Sequence, residues 1–332
     1  LNIYHDVQTN FIFPVDYSLN ADSYAAFAQV DYDLSDVVTL TVGGRLMNDT
    51  KHFVSVGLGI PAFAGTVLGD GADLTSDKWN WSGRAVLTYK PNSDMTIYAG
   101  VNRGVKGGGF DGGGIPAYPA SDAEYRSETL YSYEVGVKAD LLDRVVSFDG
   151  SVFYYDYRDY QAFSGANQTI NLDAEIFGAE LFVTLRPARG LTLKGAVTYL
   201  DTKEKDVPLG GGLYGDFPIP QAPEWALQGS IRYATPVLGD DELALQFNAM
   251  YQSETTVSAI PAQDQNIPAY HRFDVRASYR LPGGRMTISG FINNLSDELY
   301  YLNRIDFSGF TGSTVDTPDR PRWGGVSVSY NF

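Results

Sequence analysis

The chain has 332 residues, with 40 acidic against 24 basic side chains, a formal charge of −16, 35 Gly, 23 Tyr, 18 Phe and no Cys. The missing cysteine excludes a disulfide framework, a thiolate metal site and a cysteine nucleophile, and three scattered histidines, His5, His52 and His271, leave little material for a zinc or haem site. The acidic balance excludes general nucleic-acid binding, which needs Lys and Arg to displace phosphate counterions.

No run of about 18 apolar residues exists, so no transmembrane helix is predicted, and the first six residues show no leader pattern. A membrane β-barrel passes both filters, because only every second residue of its strands must be apolar. In chain order, period-two alternation predicts strands near 24–34, 38–47, 81–90, 95–102, 131–141, 145–155, 176–186, 191–200, 225–233, 243–252, 273–281, 286–293 and 326–332, about 13 in all. The pattern is cleanest at 273–281, where Phe273, Val275, Ala277, Tyr279 and Leu281 alternate with Asp274, Arg276, Ser278 and Arg280. No helix-period stripe competes over a comparable length.

The connections alternate between two kinds. Tight turns rich in Pro, Gly, Asn and Asp fall at 34–36, 91–94, 142–144, 187–190, 236–241 and 282–284. Long excursions fall near 50–78, 106–127, 163–171, 204–222, 254–270 and 299–321. Turns at one rim and long loops at the other are the pattern of an outer-membrane barrel. A soluble sandwich or propeller shares the alternation but gives no reason for aromatics at the ends of the apolar face. Tyr24, Tyr32, Trp81, Tyr89, Tyr199, Trp225, Tyr233, Tyr251, Tyr279 and Tyr330 hold those positions, as two interfacial girdles would. The last strand stops on Phe332 with Tyr330 on the same parity, which is similar to the signal by which outer-membrane barrels are handed to the barrel-assembly machinery.

Seven stretches resemble the TonB-dependent outer-membrane receptors: 24–29 (YAAFAQ), 40–45 (LTVGGR), 98–110 (YAGVNRGVKGGGF), 128–138 (ETLYSYEVGVK), 178–181 (GAEL), 293–300 (NNLSDELY) and 321–326 (PRWGGV). The resemblance implies an all-β antiparallel transmembrane barrel, of which residues 1–332 supply about 13–14 strands, residues 1–13 being the remnant of one more. A plugged barrel of this kind has about 22 strands, and at about 10 residues each these need about 220 residues before any loop. Residues 1–332 are therefore expected to be a partial barrel domain without the N-terminal plug. The alternatives are a self-contained passive channel of about 14 strands and a barrel that binds a ligand without transporting it.

The resemblance further implies energised uptake of a scarce ligand, siderophore-iron by family precedent, through TonB, ExbB and ExbD acting on the absent N-terminal segment. Other expected partners are outer-membrane lipid and lipopolysaccharide, the latter bridged by divalent ions to acidic segments at Asp70 to Asp77 and Glu204 to Asp206. No enzyme chemistry and no cofactor are expected, since no Ser-His-Asp spacing, phosphate loop or His-rich run occurs. The glycines at 107–109 and 112–114 lack the strand-and-helix context of a nucleotide loop.

Ligand contacts are expected from the loops and the upper lumen. In 106–127 these are Lys106, Phe110, Asp111, Tyr118, Tyr125 and Arg126, aromatic faces and charges able to hold a chelate or an aromatic ligand. Tyr155, Tyr157, Arg158 and Tyr160 crowd one strand end, and Tyr300, Tyr301 and Arg304 another. Asp70, Asp73 and Asp77 are a weak calcium candidate that does not fit the twelve-residue calcium loop.

Overall fold

The computed structural model describes residues 2–5, 12–112, 118–163, 168–257, 266–306 and 314–332. Its strands in chain order are β1 (Asn2–His5), β2 (Ile12–Ser35), β3 (Val38–Val56), β4 (Gly71–Asn92), β5 (Met95–Lys106), β6 (Gly109–Phe110), β7 (Glu124–Tyr125), β8 (Glu128–Leu141), β9 (Val146–Phe163), β10 (Thr169–Ala188) and β11 (Leu191–Gly210). They continue with β12 (Leu213–Phe217), β13 (Trp225–Thr235), β14 (Glu242–Gln252), β15 (Thr255–Thr256), β16 (Asn266–Ile267), β17 (Tyr270–Arg280), β18 (Met286–Asn293), β19 (Tyr301–Asp306), β20 (Thr314–Pro318) and β21 (Trp323–Tyr330). One antiparallel sheet runs β1-β2-β3-β4-β5-β8-β9-β10-β11-β13-β14-β17-β18-β21, a meander in which each strand pairs with its neighbour in the path. All 13 strands read from the sequence are present, and β1 supplies the further one expected within residues 1–13.

Register sorts the side chains into two faces. Leu193, Ile231, Phe247, Val275 and Ile292 form one row across β11, β13, β14, β17 and β18. One residue along, Thr192, Arg232, Gln246, Arg276 and Phe291 form the opposite row. The apolar face has no protein to cover it: Ile231, Leu245, Val326 and Val328 are all exposed. In water such a surface would be costly, and lipid removes the cost. Eight residues separate Tyr24 from Tyr32, Trp81 from Tyr89 and Trp225 from Tyr233. At about 3.3 Å per residue that is about 26 Å along a strand, which matches an apolar band about 25 Å tall with an aromatic girdle at each edge. No helix among the described residues is long and apolar enough to cross a membrane.

Two expectations about the outer rim are corrected. Residues 50–56 and 71–78 belong to β3 and β4, and residues 204–210 and 213–217 form a hairpin of β11 with β12. Strands β2, β4, β10 and β11 run for 20 to 24 residues, about twice what a bilayer requires. Their upper halves form a wall standing outside the membrane. Alternation fades there because the outward parity, Lys203 and Lys205 for example, faces water instead of lipid.

The sheet has two open edges. β1 and β21 do not pair with each other, and β1 covers only residues 12–15 of β2. From Asp16 to Ser35 the far side of β2 has no partner among the described residues.

Glycine is required where an aromatic ring lies across the wall. A Cβ at Gly178 would overlap the Phe153 ring, and one at Gly136 would overlap the Tyr98 ring, whose hydroxyl donates to Glu134 at 2.5 Å. Gly178→Val is expected to cost about 1–3 kcal/mol by overpacking. Gly195→Val, at a glycine with open space around it, should change stability by less than about 0.5 kcal/mol. Denaturant midpoints in lipid vesicles distinguish the two.

Candidate functional site at the outer mouth

Above the outer girdle, two β-bulges set which side chains face the lumen. In β9 the register against β10 shifts between Tyr157, opposite Ala174, and Tyr160, opposite Leu172. Asp159 adopts φ 54° there, a conformation that Asp tolerates better than most residues, and the Asn171 amide donates to its carbonyl at 2.8 Å. Without the extra residue Tyr157 and Tyr160 would face opposite ways. With it both rings turn to the lumen and meet edge to face, centroids 5.4 Å apart. Below them Tyr155 stacks on Phe153 at 4.6 Å.

β11 repeats the device at a similar height. Glu204 pairs with Phe217 and Val207 with Gly215, and Asp206 between them has φ 53°. Glu204 and Val207 therefore share the lumen face, and both are fully buried. Register aligns Leu130, Tyr157, Ala174 and Glu204 across four strands. The small Ala174 leaves room above it for the tyrosine rings.

The Glu204 Oε2 has no hydrogen-bond partner among the described residues. Burial pushes this carboxyl up to about 7, from an ordinary 4.5. Tyr160 is pushed up to about 12, by burial first and then by the charges of Glu204 and Glu128. Between pH 4.5 and 7 the folded chain keeps a proton at Glu204 that the unfolded chain has lost. Stability from this group is thus full below about pH 4.5 and is lost as the pH rises through 7, a change of up to about 3 kcal/mol. Hydrogen exchange in residues 202–217, corrected for intrinsic rate, should quicken from pH 5 to pH 8. Glu204→Gln should abolish that dependence.

Residues 106–112 and 118–127 fold against the lumen side of the wall. Phe110 stacks on the buried Phe53 at 5.7 Å, and Phe53 in turn meets Tyr17 at 6.0 Å. Asp111 accepts from the Thr169 backbone N–H at 2.8 Å and from its hydroxyl at 3.0 Å, which ties the loop to β10. Burial raises the Asp111 pKa against the lowering effect of those bonds. Tyr125 is raised by burial and then by the nearby Asp111. Glu128, buried at the start of β8, accepts from the Gln161 N–H at 2.9 Å. Lys106 is exposed and is the register partner of Glu128.

Other expected contacts are engaged with protein. Tyr118 packs in a small cluster with Val67 and Ala123. Arg126 donates to Asp159 at 2.9 and 2.5 Å, and Arg158 pairs with Asp156 at 2.9 Å. Tyr300 is buried, stacked on Tyr270 at 4.3 Å, and bonded to Arg272 and Asp319. Arg304 grips both oxygens of Asp316 at 2.8 and 3.0 Å, reaches the Asn266 carbonyl at 2.7 Å and lies over the Tyr301 ring. Arg126 ties its loop to β9, and Arg304 ties the β19–β20 hairpin to β16. Gly113 and Gly114 lie outside the described residues.

The three aspartates of the calcium candidate go separate ways. Asp70 closes a short helix and accepts from the Gly65 N–H. Asp73 and Asp77 are on β4, not in a loop; they accept from His52 and Asn48 respectively. Among the described residues no group of three or more His, Asp or Glu could hold a metal ion. At the opposite rim the Phe332 ring meets Tyr330 edge-on at 5.1 Å.

Sequence reasoning missed Phe53, Glu128 and the burial of Glu204, which stood within an acidic loop segment expected to bridge to lipopolysaccharide. The one available signal was Asp at 159 and at 206, a residue enriched where the backbone turns left-handed inside a strand.

The profile of the family described as TonB dependent receptor-like, beta-barrel, matches residues 2–295. A probable TonB-dependent receptor, BfrD of Bordetella pertussis (strain Tohama I), is 26% identical over 233 residues, which are 65% of this chain and 29% of that one. Among solved structures, the ferric yersiniabactin uptake receptor FyuA from Yersinia pestis matches with a TM-score of 0.78 at 19% identity, over 96% of this chain and 47% of that one. The siderophore receptor PiuA from Acinetobacter baumannii matches at 0.73 and 18% identity, over 95% and 44%. The chain thus spans less than half the length of each of these relatives.

Proposed function

The chain belongs to the TonB-dependent receptor-like β-barrel family of the outer membrane, and from that premise we propose that it is the larger part of the wall of a receptor for energised uptake of a scarce ligand, a metal chelate of the siderophore class first. The carrying observation is the outer mouth. There the strands rise past the membrane, residues 106–112 are clamped inward through Phe110 and Asp111, and the lumen face is lined with Tyr155, Tyr157 and Tyr160. Such a surface suits capture of an organic ligand from outside by aromatic and polar contacts. The open edges of β2 and β21 support a wall completed by further strands, over a passive channel of about 14 strands.

In this reading TonB, ExbB and ExbD act through a segment outside these residues, and the barrel-assembly machinery receives the strand ending in Tyr330 and Phe332. Outer-membrane lipid covers the apolar face. Acidic groups above it bind lipopolysaccharide through divalent ions.

Deleting the gene should abolish growth of the parent bacterium on one ferric siderophore as sole iron source, and a plasmid copy should restore it. Loss of TonB should have the same effect. Unchanged growth on every ferric siderophore supplied would overturn the iron assignment, and uptake that persists without TonB would overturn energised transport.

A further inference from the structure

Within the proposed receptor mouth, the row of half-buried Tyr157 and buried Ala174 and Glu204 has a chemistry of its own. We propose that the Glu204 carboxylate, with Tyr160 and Phe217 beside it on the lumen side, is a subsite for an ammonium group of the ligand, and that it discriminates against anionic ligands. This rests on the receptor reading, since it names the chemistry of part of what the mouth would take.

Four observations carry it. First, Glu204 is 1% exposed and its Oε2 meets no donor among the described residues, so a hydrogen-bond donor from a ligand would relieve a buried unpaired acceptor. Second, the neighbouring groups are rings. Tyr157 and Tyr160 stand edge to face, and Phe217 is the register partner of Glu204 on β12. Ring faces beside a carboxylate attract an organic cation. Third, the two bulges, with Asp159 and Asp206 at φ 54° and 53°, are what turn Tyr160 inward and let Val207 follow Glu204 on one face. Bulges re-aim side chains in this way beside sites.

Fourth, the protein's own cations are turned away. Lys203 and Lys205 sit on the opposite parity of β11 and pair with Asp216 at 3.9 Å and Glu175 at 3.0 Å. Arg126 and Arg158 pair with Asp159 and Asp156. Lys106, on β5 opposite Glu128, stands four strands along the sheet from Glu204. Access needs the Tyr160 ring or β12 to swing aside, so binding and opening are coupled. Burial holds the empty carboxyl near neutrality, and a bound cation would favour its ionised form.

Three small probes share one ring and differ in charge: tyramine, its neutral counterpart tyrosol, and 4-hydroxyphenylacetate. Their affinities are measured by calorimetry at pH 8 on the complete receptor in detergent micelles. Tyramine should bind about tenfold or more tightly than tyrosol, with the anion weakest. Glu204→Gln should bring tyramine down to the level of tyrosol and leave tyrosol unchanged, and Tyr160→Ala should weaken both. Equal affinities for tyramine and tyrosol, no tyramine binding, or a tyramine affinity indifferent to Glu204→Gln would overturn the proposal. The wild-type comparison decides even if a variant fails to fold. Siderophore-dependent growth with no preference for tyramine removes the ammonium subsite alone. A Glu204-dependent preference without growth removes the uptake reading alone.

Discussion

Phe247→Arg and Asn248→Arg, one residue apart on β14, are expected to have opposite fates. Phe247 lies on the apolar row with Ile231 and Val275, between the two girdles. An arginine there faces hydrocarbon, and near the middle of a barrel's lipid face that costs about 2–4 kcal/mol. The stacking of Phe247 on Phe273 at 5.8 Å is lost as well. Asn248 pairs with Asp274 on β17 and faces the lumen. Its replacement gains a carboxylate neighbour in a wet interior and should stay within about 0.5 kcal/mol of the parent. Denaturant titration of the barrel in lipid vesicles, followed by tryptophan fluorescence, reads both. Equal losses would mean that the two faces are not lipid and lumen.

A second large effect belongs to the open edges. Within the hydrocarbon layer every backbone N–H and C=O needs a partner, and each one left bare costs several kcal/mol. A spanning strand has about 10 residues, so a bare edge exposes about ten such groups. Both β2 and β21 have such an edge. Residues 1–332 expressed alone should therefore remain protease-sensitive and fail to insert into vesicles. Co-expression with strands that pair with both edges should yield a protease-resistant barrel. Insertion of the 332 residues alone as a stable barrel would show that β1 and β21 close on each other.

What the sequence revealed and what it hid follow from the solvent on each side. Between the girdles one parity meets lipid and the other water, so alternation is strong, and rows such as Phe273, Val275 and Ala277 against Asp274, Arg276 and Ser278 could be placed from the period-two pattern alone. Above the outer girdle both parities meet water or other protein. There Asp73 and Asp77 looked like loop residues although they sit on β4, and Glu204 looked like part of an outer acidic loop although it is fully buried on β11. Tyr155 and Tyr157 could be named as candidates because tyrosines crowd that strand end. That Tyr160 joins them on one face depends on a bulge at Asp159, whose backbone angle has no periodic trace. Tyr118, Tyr300 and Arg304 have the chemistry of ligand contacts. Their engagement in packing and ion pairs is decided by residues far away in sequence, such as Val67, Tyr270 and Asp316.

The absence of native cysteine allows the wall to be mapped one position at a time. Single cysteines at positions 226–232 of β13, in the complete barrel in vesicles, are tested with a water-soluble maleimide and, after attaching a fluorophore, with brominated lipid. Positions 227, 229 and 231 should be quenched by the lipid and resist the maleimide, while 226, 228, 230 and 232 should react with maleimide and escape quenching. Uniform reaction with maleimide along the whole strand would contradict a membrane wall with a lipid face and a lumen face.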